Sequence, residues 1–115
     1  MSPLLRCGWS TVWARVTVKN MSTLTDAQIS TALNDLPGWS NAGDAITKTF
    51  EFEDFNAAMA YMATAALQID ELNHHPEWTN VYNRVDVRLS SHDAGGVTDR
   101  DVALARILEG LAGER

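Results

Sequence analysis

One long helical repeat does most to limit what this chain can fold into. From Phe55 to Leu72, apolar residues recur at spacings of three and four, which is the period of one helix face. Asp54 is suited to be the N-cap, and Pro76 ends the helix because the residue before a proline is pushed toward extended geometry. The pattern therefore predicts a second layer that buries this face. The residues assigned to the face are Phe55, Ala58, Met59, Met62, Ala65, Ala66, Ile69 and Leu72.

Strand-forming segments lie on both sides of this helix. Residues 39–52, WSNAGDAITKTFEF, contain a brief strand near Trp39, a turn at Asn41 to Asp44 and a second strand. In that strand Ile46, Lys48 and Phe50 alternate with Thr47, Thr49 and Glu51. Residues 78–92, WTNVYNRVDVRLSSH, are rich in strand formers and predict a hairpin that turns at Asn83 and Arg84, with one uninterrupted strand as the alternative. Both pairs are suited to one antiparallel sheet.

Two more helices complete the pattern. Thr25 can cap a first helix with the apolar stripe Ile29, Leu33 and Leu36, which the breakers of "PGW" at 37–39 stop. Thr98 and Asp101 resemble a capping box at the start of the last helix. The order is α, then ββα twice, which predicts an α+β fold of two layers, a four-stranded antiparallel sheet with helices on one face.

Charge and cysteine content exclude several classes of protein. From Met21 onward the chain has six basic and fifteen acidic residues, so it would repel a nucleic-acid backbone. Cys7 is the only cysteine, which excludes an intramolecular disulfide and fits a reducing compartment such as the cytoplasm. No apolar run approaches the roughly 18 residues of a membrane span, so we expect a soluble protein with no membrane partner.

The first 20 residues differ from the rest. They carry three basic residues and no acid, and they lack the continuous apolar region of a secretory signal. Three interpretations remain open: a disordered extension or upstream start artefact, an extra edge strand, and an organelle-type presequence. We expect residues 1–20 to be peripheral and residues 21–115 to form the single functional domain.

The stretch "NHHPEW" at 73–78 contains two of the three histidines, His74 and His75. Adjacent residues diverge by about 100° on a helix and lie on opposite faces of a strand, which disfavours a shared metal ion. His74 could instead complement the helix dipole, with His75 a surface residue. The third interpretation adds His92, at the end of a strand of the same sheet. Three imidazoles in one cleft would suit proton transfer near neutral pH without a metal.

The sequence from "NHHPEW" through "SSHDAGG" to the last helix closely resembles the pterin-4a-carbinolamine dehydratase family, also known as the dimerisation cofactor of a homeodomain transcription factor. The similarity includes "LPGW" and "FEFEDFNAAMAYM" and covers about Leu24 to Leu111. The resemblance implies a homodimer or homotetramer that needs no cofactor. It also implies loss of water from a 4a-hydroxytetrahydropterin, giving the quinonoid dihydropterin.

Carried over by position, the resemblance assigns His74, His75 and His92 as catalytic, with their individual roles open. It assigns a second set to the pterin pocket, and no residue to a metal. Within that set Ser91 stands where Thr is more usual. Asp101 has two interpretations, since it can cap the last helix or orient a histidine. The pocket set is Asn73, Trp78, Ser90, Ser91, Asp93 and Asp101.

Two functions of other kinds compete with the dehydratase. One is a protein-binding module whose apolar helix faces stabilise a partner's dimer, for which no histidine is needed. The other is a different role in pterin metabolism, such as a step in molybdopterin or folate metabolism. The presence of all three histidines favours the dehydratase, although the two roles can coexist. The resemblance implies that an aromatic amino acid hydroxylase usually supplies the carbinolamine in tetrahydropterin recycling, and the residues of this chain leave the donor open.

Overall fold

The computed structural model describes residues 23–113, so the predictions for residues 1–20 and for Met21 lie outside the described residues. The chain alternates as α1, β1, β2, α2, β3, β4 and α3, with a short 3₁₀ turn after α1, and the predicted α+β order is confirmed. The bounds are α1 Asp26–Ala32, the 3₁₀ turn Leu33–Asp35, β1 Ser40–Asn41, β2 Ile46–Glu51, α2 Phe55–Leu72, β3 Glu77–Val81, β4 Arg84–Leu89 and α3 Asp99–Gly113.

The four strands form one antiparallel sheet in the order β1-β2-β4-β3. Side chains alternate between the two faces of a strand. In β4, Val85, Val87 and Leu89 are buried, whereas Asp86 and Arg88 between them are partly exposed. The helices therefore cover one face, and the other face, here called the uncovered face, carries the polar residues. None of the described helices has the length and apolar character needed to cross a membrane.

The predicted helix starts are confirmed at two positions. Thr25 caps α1 in a complete capping box with Gln28, and the Asp54 carboxylate accepts from the backbone N–H of Ala57 at the start of α2. At its other end α2 stops at Leu72, and Asn73 adopts the left-handed conformation with φ of 57°. This left-handed cap turns the chain sharply toward β3.

The predicted buried face of α2 was too wide. The structure buries Ala58, Tyr61, Ala65 and Ile69, whereas Phe55, Ala66 and Leu72 are exposed and both methionines of the helix are half-buried. Tyr61 was missed because its hydroxyl makes it look like a surface residue. Here the hydroxyl donates to the carbonyl of Leu108 in α3 at 3.0 Å, and the ring packs against Phe52.

The predicted hairpin is confirmed, but its turn was placed one residue too late. Tyr82 and Asn83 form the turn, and the left-handed residue is Tyr82, with φ of 52°, and not Asn83. Asn83 is used elsewhere, because it exchanges two hydrogen bonds with the backbone of Phe52: the Phe52 N–H donates to the Asn83 carbonyl, and the Asn83 amide donates to the Phe52 carbonyl. The Asn80 amide donates to the carbonyls of Tyr82 and Arg84 across the turn.

Candidate active site

The three histidines lie at one end of the sheet, here called the imidazole end. Glu77 begins β3 and pairs in register with Arg88, one residue before the end of β4. His74 and His75 come just before β3, and His92 comes just after β4. Because neighbouring antiparallel strands start and finish at the same edge, this topology places His92 at the same edge of the sheet as His74 and His75.

His74 is buried at this end and bonded to a carboxylate. It is 9% exposed, and its Nε2 lies 2.6 Å from Oδ1 of Asp101, which is fully buried. An ionised carboxylate only accepts hydrogen bonds, so Nε2–H donates and Nδ1 is left to bind a second partner. His74 is thus held in one orientation by α3 and does more than complement the dipole of α2.

Asp101 also serves the fold. Its Oδ2 accepts from the backbone N–H of Thr98 at 2.9 Å and from the hydroxyl of Ser91 at 2.8 Å. The Thr98 hydroxyl accepts from the Arg100 N–H and contacts the Ser91 hydroxyl at 2.7 Å. Both interpretations of Asp101 therefore hold, because one carboxylate caps α3 and orients a histidine. Ser91 is buried in this network, where its hydroxyl supports Asp101.

His75 has a different partner. Its Nε2 lies 3.1 Å from Oδ1 of Asp70 in the last turn of α2, and the side chain is 57% exposed. A cavity of about 220 Å³ adjoins the ring and is also lined by Ala66, Ile69, Asp70, Pro76 and Trp78. His75 therefore lies on the helix-covered side of the sheet end, and the sequence analysis missed Asp70 as its partner.

His92 lies beside a third carboxylate. Its ring is 74% exposed, and Nε2 is 3.9 Å from Oε2 of Glu77. Arg88 fixes this glutamate, donating to Glu77 Oε1 at 2.9 Å and to Asp44 at 2.7 Å. Glu77 alternates with the half-buried Trp78, so its carboxylate is on the uncovered face. The histidines thus surround the start of β3 from two sides, each with its own carboxylate.

The other residues assigned from sequence have structural contacts. Asp93 is exposed and accepts from Arg100 at 2.7 Å, and this hydrogen bond, aided by the charges of Arg100 and His74, holds the pKa of Asp93 below its ordinary value. The same bond raises the pKa of Arg100. Ser90 donates to the carbonyl of Asp44 at 2.6 Å.

Asn73 and Trp78 flank the histidine pair. Asn73 acts through its backbone as the cap of α2, and Trp78 is half-buried and lines the cavity beside His75. Among residues 23–113, no group of three or more His, Cys, Asp or Glu side chains is arranged to hold a metal ion.

Comparison with known proteins decides the family. A family model described as pterin 4 alpha carbinolamine dehydratase matches residues 22–111, which include every residue of the imidazole end. The chain belongs to the pterin-4a-carbinolamine dehydratase family. A relative in Nitrobacter winogradskyi, named "Putative pterin-4-alpha-carbinolamine dehydratase", is 53% identical over 89 residues, covering 76% of this chain and 88% of that protein. A relative of the same name in Rhizorhabdus wittichii is 48% identical over 95 residues, covering 81% and 98%.

Two solved structures share the fold of this family member. A crystal structure described as a transcriptional coactivator/pterin dehydratase from Brucella melitensis has 46% identity and a TM-score of 0.77, covering 80% of this chain and all of the other. A pterin dehydratase-like protein identified as a RuBisCO assembly factor in the alpha-carboxysome has 22% identity and a TM-score of 0.58, covering 66% and 90%. The second likeness shows the fold alone.

Proposed function

We propose that the chain is a hydro-lyase that removes water from a 4a-hydroxytetrahydropterin and releases the quinonoid dihydropterin. The observation that carries the proposal is the arrangement of His74, His75 and His92 at one sheet end, each beside its own carboxylate. The family and its relatives support the reaction class. In the recycling of tetrahydropterins, an aromatic amino acid hydroxylase would supply the substrate in the cytoplasm.

The reaction requires two proton transfers. A proton must reach the departing hydroxyl at C4a, and another must leave N5, so that the C–O bond breaks as the N5–C4a double bond forms. An imidazole that is exposed to substrate can do either step near neutral pH. In our proposal His75 and His92 exchange protons with the substrate, which lies across the start of β3 between them. General acid–base help of about 10² to 10⁴ corresponds to roughly 3 to 5 kcal/mol of barrier.

His74 has a different role in this proposal. It is buried and already donates through Nε2 to Asp101, so Nδ1 is the atom available to a ligand. A ring held this firmly is suited to binding and orienting the pterin. Asn73, Trp78, Ser90, Ser91 and Asp93 would form or support the walls around it.

A stopped-flow assay of quinonoid dihydropterin formation from synthetic 4a-hydroxytetrahydropterin tests the proposal. We expect the wild type to exceed the uncatalysed rate, and the rate enhancement to fall at least about tenfold in His75→Ala, His92→Ala or both, with no effect of a chelator. Glu53→Gln, a change of an exposed residue beside the Tyr82–Asn83 turn at the opposite end of the sheet, is the control. Equal rates with and without protein would rule out the dehydratase, and inhibition by the chelator would contradict a metal-free mechanism.

A second function is favoured by the surface of α2. Leu67 is 75% exposed in the middle of the helix, on the side opposite the buried residues Ala58, Tyr61, Ala65 and Ile69. We propose that this face joins copies of the chain into a homodimer or homotetramer, with binding of another protein's helix to the same face as the alternative. Light scattering of Leu67→Glu tests this: a smaller particle with full dehydratase activity separates assembly from chemistry, and an unchanged particle size would exclude this face as the interface.

A further inference from the structure

Arg88 differs from the other basic residues in its partners. Within residues 23–113, the other four basic side chains each pair with one carboxylate. Arg88 pairs with two, since its Nη1 donates to Glu77 Oε1 at 2.9 Å and its Nη2 donates to Asp44 Oδ1 at 2.7 Å. One guanidinium therefore joins the turn between β1 and β2 to the start of β3.

The strand register sets Arg88 between these two carboxylates. On β4 it lies opposite Glu77 of β3, and it alternates with buried residues, so its side chain is on the uncovered face. Asp44 is in the turn that leads into β2, and Ser90 holds this turn to the end of β4 by donating to the Asp44 carbonyl at 2.6 Å. The partners of Arg88 are thus placed by the backbone of three strands.

This arrangement leaves one oxygen of Glu77 for His92. Arg88 occupies Oε1, and Oε2 lies 3.9 Å from Nε2 of His92. Because 3.9 Å is longer than a hydrogen bond, the contact is electrostatic and depends on where the carboxylate is held. With Asp44 also bonded to Arg88, two carboxylates and one guanidinium leave one net negative charge near the ring.

The other charges near His92 are already paired. Asp93, the next residue, accepts from Arg100 of α3 at 2.7 Å. Within residues 23–113, Glu77 is the only salt-bridge partner of His92. The position of the Glu77 carboxylate therefore has the most direct influence on the charge of this ring.

The double contact needs an arginine and not merely a positive charge. A guanidinium presents its N–H groups in a rigid planar fork, so it can hold two carboxylates in fixed directions at once. An ammonium group carries the same charge at one point on a flexible stem. The Glu77 side chain is 57% exposed, so without the fork it would be free to turn into solvent and away from His92.

We propose that Arg88 is a positioning residue that holds the Glu77 carboxylate beside His92. Arg88 acts through Glu77 on a ring that exchanges a proton with the substrate, and Asp44 holds the other half of the guanidinium. The expected effect on rate rests on the proposed dehydratase function. The expected effect on the charge of His92 does not depend on that function.

Arg88→Lys tests the proposal because it keeps the charge and removes the fork. NMR signals of the His92 ring in the full chain, recorded at one pH near neutrality, give the ratio of charged to neutral rings. A nearby carboxylate favours the charged ring, so we expect Arg88→Lys to lower this ratio about twofold, within the range of one exposed ion pair. The dehydration rate in the stopped-flow assay should fall about two- to threefold. Glu77→Gln should lower both quantities, and adding Arg88→Lys to it should change neither any further.

Arg84→Lys is the matched control. Arg84 lies on the same strand and the same face, but it pairs only with Asp86, so both quantities should stay at their wild-type values. A wild-type ratio or a wild-type rate in Arg88→Lys would overturn the proposal, as would an effect that persists in the Glu77→Gln background. If no form of the chain dehydrates the carbinolamine, the proposed function fails instead, and the ratio of charged His92 rings alone decides the role of Arg88.

Discussion

The three histidines show two ways of pairing an imidazole with a carboxylate. The pair of His74 is buried, whereas the pairs of His75 and His92 are exposed. The His74–Asp101 pair is buried and shares its hydrogen bonds with Ser91 and Thr98, so it belongs to the core as much as to the site. The other two pairs are exposed, and their carboxylates stabilise nothing else of comparable burial. In the proposed reaction, the interior therefore orients His74, whereas proton exchange falls to the two rings that solvent and substrate can reach.

The largest effect that this comparison predicts is on folding stability. Asp101→Ala leaves the Thr98 N–H, the Ser91 hydroxyl and His74 without their shared acceptor in a buried place. We expect the free energy of unfolding to fall by about 3 kcal/mol or more, because breaking a buried pair leaves the remaining polar groups buried without a hydrogen-bond partner. Urea denaturation measures this.

Asp99→Ala, two residues earlier and exposed, is the control for that measurement and should cost less than about 1 kcal/mol. A loss of similar size in both variants would mean that Asp101 acts only through the charge at the start of α3. The distinction between the buried and exposed pairs would then disappear.

A smaller effect is expected at the carboxylates of the exposed pairs. Asp70→Asn and Glu77→Gln should change the free energy of unfolding by less than about 0.5 kcal/mol. Exposed ion pairs contribute about 1 kcal/mol at most, so each change should lower the dehydration rate about two- to fivefold. Glu71→Gln, beside Asp70 but without a histidine partner, provides the baseline for both measurements. A hundredfold loss of rate in either variant would show that exposed carboxylates orient their histidines as strongly as Asp101 orients His74.

The smallest effect concerns Asp93 and Arg100, which flank the buried pair but are exposed themselves. The folded-state pKa of Asp93 is below its ordinary value of 3.8, chiefly because of the hydrogen bond from Arg100. The pair therefore adds stability above that pH, and its contribution is lost as the pH falls through the folded-state pKa. We expect Asp93→Asn to melt slightly below wild type at neutral pH and together with it near about pH 2. A difference in melting temperature that persists in acid would assign the effect to something other than this charge.

The order of elements could be predicted from the sequence because each helix and strand has its own local pattern. The Asp54 cap, the Thr25 cap and the stop before Pro76 depend on neighbouring residues only, and the structure has all three. The hairpin turn was misplaced by one residue because Asn83 is held by Phe52, a contact between distant parts of the chain. Tyr61 was missed for a similar reason, since its hydroxyl is satisfied by α3.

The candidate site was predictable in its histidines and in Asp101 as the partner of one of them, but not in the pairing of Asp70 and Glu77 with the other two. The stretch "NHHPEW" and the later His92 can be read directly from the sequence. Matching Asp70, Glu77 and Asp101 each to a different ring also requires the register of β3 on β4 and the position of α3. The sequence analysis expected one cleft for all three rings. The structure instead arranges them around the start of β3, with His92 beside a carboxylate on the uncovered face.

The carboxylate of Asp101 both caps α3 and holds a histidine, and this double role affects the abundance that variants of the protein would reach in a cell. A chain that loses this side chain also loses much of its margin against unfolding, so we expect cellular proteases to lower its abundance several-fold. Substitutions that break the His74–Asp101 pair should therefore lower the abundance of the protein, whereas under the proposed mechanism substitution of His75 or His92 should leave its abundance unchanged and lower its activity.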